Sequence, residues 1–215
     1  MTLLAQIIMN DRLRDLIDGM LHPNPTGTAA EDSLAARAYS AVESAADPAL
    51  LHAAREAVVL EQDKLRRRSL YFIIRKLGLN LKDLDAGPFL VRQLDRESDK
   101  YVLLFLLDAI RHLPKPKDTD LSPILRRLDD KRWQVRHPAI EALRLTESSL
   151  AEQALIKILQ TSSDPGDLVS ANATLNRIGT ARAIPAIEPY LKSRKRDVKM
   201  SAQFAIEEIR KRVAG

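Results

Sequence analysis

The side chains best suited to catalysis are few in this chain, and their spacing matches no catalytic pattern. His22, His52, His112 and His137 stand too far apart in sequence for an HExxH zinc motif or a ligand pair on one helical turn. Cysteine is absent, which excludes disulfides, thiolate catalysis and cysteine-bound metals. No His-Glu dipeptide, dinucleotide fingerprint or P-loop pattern occurs. We therefore predict a non-enzymatic protein with no catalytic residue, no cofactor and no metal.

Arginine side chains offer a binding chemistry instead, because a guanidinium presents a planar fork of donors to a carboxylate or a phosphate. Arg67, Tyr71, Arg111 and Arg144 form the predicted partner-binding set, with Arg136 as a structural or secondary contributor. These residues are far apart in sequence. They can form one site only if regularly spaced elements bring them together.

A pattern that recurs six times predicts such elements. Its anchors lie 31 to 37 residues apart, at Leu34, Leu65, Val102, Val135, Asp167 and Val198. Four residues after each anchor the side chains are mostly small: Ala38, Ser69, Leu106, Ala139, Ala171 and Ala202. Eight residues after each anchor stands an aliphatic column: Val42, Ile73, Ile110, Leu143, Leu175 and Ile206. A period in this range is typical of helical units that bury their apolar faces by stacking into a solenoid.

Each anchored segment is predicted to be the second helix of a hairpin, because its apolar residues fall on one face of an α-helix. Partner helices are predicted ahead of the anchors, roughly at 3–21, 47–60, 87–94, 121–128, 149–159 and 182–191. Short polar turns join the helices, so neighbours run antiparallel. Two longer connections, 22–28 and 113–120, contain prolines and carry no strand signal. The predicted fold is an all-α, right-handed α-α superhelix of about six hairpins, or twelve helices.

The side of each second helix opposite its buried stripe, at offsets 2, 6 and 9 from the anchor, is expected to line the concave groove of the solenoid. It carries Arg67, Tyr71 and Ile74; Leu104, Asp108 and Arg111; His137, Glu141 and Arg144; Val169, Ala173 and Asn176; and Met200, Phe204 and Glu207. Stacking would bring its arginines into a row suited to carboxylates or phosphates. Two alternatives stay open: curvature buries the apolar members, or the basic turns at 64–68, 131–132 and 194–196 form the binding edge.

Residues 121–143 resemble the HEAT-like repeats, in particular the short variety named after phycobilisome lyases. They contain a leucine-rich first helix, an acidic turn at Asp129-Asp130, the Val135-Arg136 pair and an alanine-rich second helix. A second match, over 183–202, has Lys199 in place of the usual arginine. The resemblance implies a scaffold rather than a chemistry. It also implies that Arg136 pairs with Asp129 or Asp130 and ties neighbouring turns together.

Continuous repetition predicts a single domain over residues 1–215, with an aliphatic core because only 4% of residues are aromatic. The apolar start lacks a basic region and is interrupted at 10–12, which predicts an amphipathic first helix and neither a leader nor a membrane span. We expect a cytoplasmic protein without membrane contact.

The sequence favours a scaffold or adaptor that binds a protein or peptide partner on its concave face. The alternative is a DNA-binding protein, from a resemblance to HEAT-like alkylpurine DNA glycosylases, for which Trp133 and the basic residues would be the matching material. The net charge is only +5, from 34 basic and 29 acidic residues, whereas a nucleic-acid cradle is expected to be more basic. Nucleic acid is therefore the less favoured partner.

Overall fold

The computed structural model describes residues 11–22 and 33–214, which contain twelve α-helices, three short 3-10 helices and no strand beyond an isolated bridge between Lys115 and Thr146. The start of the predicted first helix and most of the loop at 22–28 lie outside these residues. The chain divides into two compact units, Met1–Leu90 and Val91–Gly215, with the boundary inside one helix. The expectation of a single domain stays a prediction.

The first unit contains antiparallel helices with short turns between them. Its helices are α1 (Asp11–Leu21), α2 (Leu34–Glu43), α3 (Pro48–Leu60), α4 (Lys64–Asn80) and the start of α5 (Ala86–Gln93). Aspartates begin two of them: the carboxylate of Asp47 accepts from the first backbone N–H groups of α3, and that of Asp63 does the same for α4. Helix α4 packs against α1, α2 and α3.

The second unit places its long helices side by side. Its helices are α6 (Lys100–Arg111), α7 (Ser122–Leu125), α8 (Trp133–Ala142), α9 (Ser149–Thr161), α10 (Pro165–Ile178), α11 (Ile184–Ile187) and α12 (Arg196–Ala214). Helix α6 packs on α8, α8 on α10, and α10 on α12. The first helices α7 and α11 are shorter than predicted. Helix α11 gives way to a 3-10 helix over Glu188–Lys192, where Pro189 has no N–H to continue the α-helical ladder.

The aliphatic column is the core of both units, as predicted. Its six members, Val42, Ile73, Ile110, Leu143, Leu175 and Ile206, are at most 3% exposed. The small residues four positions after each anchor are buried as well. The anchors themselves differ between the units: Leu34 and Leu65 are 53% and 45% exposed, whereas the four anchors of the second unit are buried.

The proline-containing loop at 113–120 is held by a buried lysine. The Lys115 side chain is fully buried, and its Nζ donates to the carbonyl oxygens of Ile110 and Leu113 at 2.9 and 2.6 Å. Its backbone N–H donates to the carbonyl oxygen of Leu145 at 2.7 Å. The loop therefore closes the C-terminal end of α6. Across residues 11–22 and 33–214, no helix has both the length and the apolar character needed to cross a membrane.

Candidate partner-binding face

The second unit keeps one side of its second helices accessible. We call this side the open face, and every member of it is half-buried or exposed. The open face consists of Leu104, Asp108 and Arg111 on α6; His137, Glu141 and Arg144 on or just after α8; Val169, Ala173 and Asn176 on α10; and Met200, Phe204 and Glu207 on α12. These are the residues predicted at offsets 2, 6 and 9 of the last four repeats.

The corresponding side of α4 in the first unit is closed. Tyr71 and Ile74 are 1% and 0% exposed, so the prediction that Tyr71 lies on an accessible face is wrong. Arg67 is half-buried, and its Nη1 donates to the backbone carbonyl of Gln62 at 2.6 Å. It thereby stabilises the turn before α4. Tyr71 is consequently a core residue, since α4 packs against α1 to α3, and Arg67 has a structural contact at the turn.

Arg111 lies on the open face, but its guanidinium is already engaged by neighbouring acids. Its Nε is 3.0 Å from Oδ1 of Asp108, and its Nη1 is 2.6 Å from Oε2 of Glu141. Nε also lies 3.2 Å from Nε2 of His112. Arg111 therefore joins α6 to α8 and does not stand as an unpaired anion contact.

A cavity of about 480 Å³ opens on this face between α6 and α8. Its lining residues are Leu104, Asp108, Arg111, Trp133, Gln134, His137, Pro138 and Glu141. A volume in this range suits a side chain or a small ligand. Five of the eight lining residues belong to the open face. The pocket combines two carboxylates, one guanidinium and an exposed indole, so it offers both charge and an aromatic surface.

Trp133 is the element of this pocket that the partner-binding prediction missed. It is 57% exposed, and its ring lies 5.5 Å from that of His137 at an angle of 44°. The signal was present in the sequence, since Trp133 is the single tryptophan and begins a second helix. His137 is held in turn by Asp167, whose Oδ1 is 3.1 Å from Nε2. A Cβ atom on Gly166 would lie 2.2 Å from the imidazole, so a glycine is required for this approach.

Arg136 ties two turns of the second unit together, as the structural reading predicted, but through different acids. Its Nε donates to both carboxylate oxygens of Asp167 at 2.7 and 2.9 Å, and its Nη2 donates to Asp164 at 2.7 Å. Towards Asp130 it bonds only the backbone carbonyl, at 3.0 Å. The carboxylate of Asp130 accepts hydrogen bonds from Arg132 instead, two residues along the chain. These hydrogen bonds lower the pKa of Asp130 to about 2. The predicted Asp129 or Asp130 partner is therefore corrected to Asp164 and Asp167.

His137, Asp164 and Asp167 are the one group of potential metal ligands that the described residues bring together, with ligand atoms within 4.8 Å of one another. The guanidinium of Arg136 already donates hydrogen bonds to both carboxylates. Burial raises the pKa of Asp164, but the Gly166 N–H and the charges of His137 and Arg136 outweigh it and lower that pKa overall. The group therefore fits an internal ion network better than a cation site.

Arg144 lies in a second pocket of the open face, of about 340 Å³. This pocket is lined by Arg144, Ala173, Asn176, Arg177, Ser201 and Phe204. It contains two arginines and no acid, and Phe204 is 54% exposed beside them. Anion binding by Arg144 stays a prediction, whereas the guanidinium of Arg111 is already paired with acids. The structure places Arg111 and Arg144 in different pockets of one face.

Comparisons with known proteins agree with the repeat architecture. A family model of HEAT repeats matches residues 120–207. A designed armadillo repeat protein is 19% identical, with a TM-score of 0.52 over 92% of this chain and 99% of that chain. An engineered protein solved by a structural genomics consortium is 20% identical, with a TM-score of 0.54 over 94% of this chain and 98% of that chain. These likenesses show the fold, and the predicted all-α solenoid is confirmed. No curated protein matches the chain.

Proposed function

Because the chain is a HEAT-like repeat protein, we propose that it is an interaction scaffold that binds an extended protein segment on the open face of its second unit. The observation that carries this proposal is the pair of exposed aromatic side chains, Trp133 and Phe204, each in a pocket of that face. Exposed apolar side chains that are grouped on one face and rimmed by polar residues are typical of a partner-binding surface.

The composition of the open face is that of a binding surface. Aromatic and arginine side chains contribute most of the energy of many protein interfaces, usually in pockets surrounded by weaker contacts. Here the two aromatic pockets are lined by different residues and share none. A repeating row of helices presents such pockets along a line, which suits an extended segment.

The test is selection of peptides from a random displayed library on the immobilised full chain, followed by affinity measurements with the selected peptides. Trp133→Ala and Phe204→Ala should each weaken binding about tenfold or more, since a lost aromatic anchor typically costs over 1 kcal/mol. Leu150→Ala is the matched control, because Leu150 is 56% exposed but lies on the first helix α9. It should leave the affinity unchanged.

Failure to select any peptide would overturn the proposal. So would selected peptides that respond to Leu150→Ala as strongly as to Trp133→Ala. Duplex DNA is included as a competitor at physiological salt. Displacement of the peptides by DNA would favour the nucleic-acid alternative and count against a protein partner.

A further inference from the structure

The pocket between α6 and α8 carries more negative than positive charge. Asp108 and Glu141 contribute two carboxylates, and Arg111 is the one arginine or lysine among the lining residues. His137, also in the lining, faces the carboxylates of Asp164 and Asp167 at 3.7 and 3.1 Å. The imidazole is therefore directed towards the turn network of Arg136. The lining is left with a net charge of about −1.

The geometry of the Arg111 network leaves acceptor capacity towards the cavity. Glu141 receives Arg111 on Oε2, at 2.6 Å. A carboxylate offers about four lone-pair sites on its two oxygens. Within the described residues, Oε1 of Glu141 accepts no hydrogen bond. The carboxyl side chain is 25% exposed, so a donor that enters the pocket can reach it while part of the surrounding water is excluded.

Trp133 also lines the pocket. Its indole is largely exposed, and its ring lies 5.5 Å from the ring of His137. The imidazole itself lies against Asp167 and Gly166. An indole face attracts a cation placed over it, and the attraction grows when the cation leaves water. An indole beside partly buried carboxylates is an arrangement that favours a cation over an anion or a neutral group.

We propose that this pocket binds an arginine side chain of the partner segment, with the guanidinium against Trp133 and its donors on Glu141 and Asp108. This inference rests on the proposed function and specifies the partner chemistry of one pocket. Arginine fits better than lysine because its planar group stacks on an indole and bonds carboxylates with two donors at once. The Arg144 pocket, which has two arginines and no acid, should reject the same side chain.

Single-residue probes test the pocket without knowledge of the partner. N-acetyl-arginine amide and N-acetyl-glutamate amide are titrated into the full chain, and the indole N–H resonance of Trp133, the single tryptophan, reports the pocket. The arginine probe should shift this resonance saturably, and the glutamate probe should not. Glu141→Gln should weaken the arginine probe at least fivefold. Glu147→Gln is the control, because Glu147 is exposed and does not line the pocket, and it should have no effect.

Circular dichroism is used to check that Glu141→Gln folds. Asp108→Asn, on the neighbouring helix, serves as a second variant. The inference is overturned if the arginine probe gives no saturable shift, if the glutamate probe gives an equal one, or if folded Glu141→Gln and Asp108→Asn bind arginine like the native chain. Should selected peptides still depend on Trp133 and Phe204 but contain no arginine, the inference fails and the scaffold function stands. If the selected peptides neither contain arginine nor depend on Trp133 and Phe204, both the inference and the scaffold function are wrong.

Discussion

The second helices of the two units share one apolar pattern, but α4 in the first unit buries a different side from the second helices of the second unit. In the second unit the anchors Val102, Val135 and Val198 are at most 1% exposed, and the opposite side of their helices is open. In the first unit the anchor Leu65 is 45% exposed, whereas Tyr71, predicted to be accessible, is buried. The buried side of α4 is thus shifted away from its anchor and towards Tyr71.

The difference separates what a repeat pattern specifies from what packing specifies. The position eight residues after each anchor is buried in both units, so the centre of the apolar stripe is a property of the sequence. The edges of the stripe depend on which helices lie beside it. On the second helices of the second unit, which contains the HEAT match at residues 120–207, the side opposite the stripe is half-buried or exposed throughout, whereas α4 of the first unit buries Tyr71 and Ile74 there.

The ion networks of the turns give the largest expected effect and test whether the units are equivalent there. Arg136→Met should destabilise the protein by about 3–5 kcal/mol, because Asp167, whose side chain is 7% exposed, loses its guanidinium partner. Arg66 occupies the same offset in the first unit and contacts Glu61, whose side chain is 1% exposed, at 3.1 Å. Arg66→Met should cost a similar amount by urea denaturation. A loss below about 1 kcal/mol for either variant would show that its network is not required.

The next largest effect is expected from a comparison of stability losses at a core position and at an exposed anchor. Leu143→Ala should cost about 2–5 kcal/mol, since Leu143 is fully buried and the surroundings collapse only partly around the missing atoms. Leu65→Ala, at an exposed anchor of the first unit, should cost about 0.5 kcal/mol or less. Denaturation midpoints at a common denaturant slope measure both. An equal loss of unfolding free energy in the two variants would mean that Leu65 is packed and that the buried side of α4 includes its anchor.

The glycine beside His137 allows a smaller test. Gly166→Ala should destabilise the second unit by about 1–3 kcal/mol, because its Cβ would overlap the imidazole at 2.2 Å. Gly19→Ala in the first unit places its Cβ 3.0 Å from the Cβ of Ala38 and 3.7 Å from the carbonyl oxygen of Leu34, and it gains helix propensity. Its net effect should stay within about 1 kcal/mol. The Trp133 fluorescence should change in Gly166→Ala alone, and an unchanged spectrum there would contradict the link from Gly166 through His137 to Trp133.

Lys115 gives the smallest effect at neutral pH and a distinct pH signature. Burial lowers the pKa of Lys115 from its usual 10.5 to about 7 in the folded protein. Between these values the unfolded chain binds the additional proton, so the Lys115 contribution to stability rises with pH from about 7 to about 10.5. The neutral amine retains two N–H donors for the carbonyls of Ile110 and Leu113.

The matched variant is Lys115→Met, which should change stability at pH 7 by about 1 kcal/mol or less, since an apolar side chain replaces a buried polar one. It should also lose the rise between pH 7 and pH 10 in a series of urea titrations. A variant whose pH profile runs parallel to that of the native chain would show that Lys115 titrates normally.

The sequence predicted where many residues of the candidate site lie, but not which contacts they make. The offset rule placed Asp108, Arg111, Glu141 and Arg144 on one face of the second unit, and all four line its pockets. The rule took Arg111 for an anion contact because side-chain pairing between helices has no local signal. Glu141 reaches Arg111 across 30 positions, and only the stacking of α6 on α8 makes that contact.

The sequence by itself determined the helical repeat, the six buried column positions and the short polar turns between helices, because these depend on spacing within a few residues. The tertiary structure alone decided that Tyr71 is buried in the core, that Arg136 pairs with Asp164 and Asp167, and that Trp133 lines a pocket with two acids. Each of these outcomes depends on which side chains of different repeats come within a few ångströms of each other. Local periodicity carries no information about that choice, because it sets the face on which a residue lies and not its neighbour on the next helix.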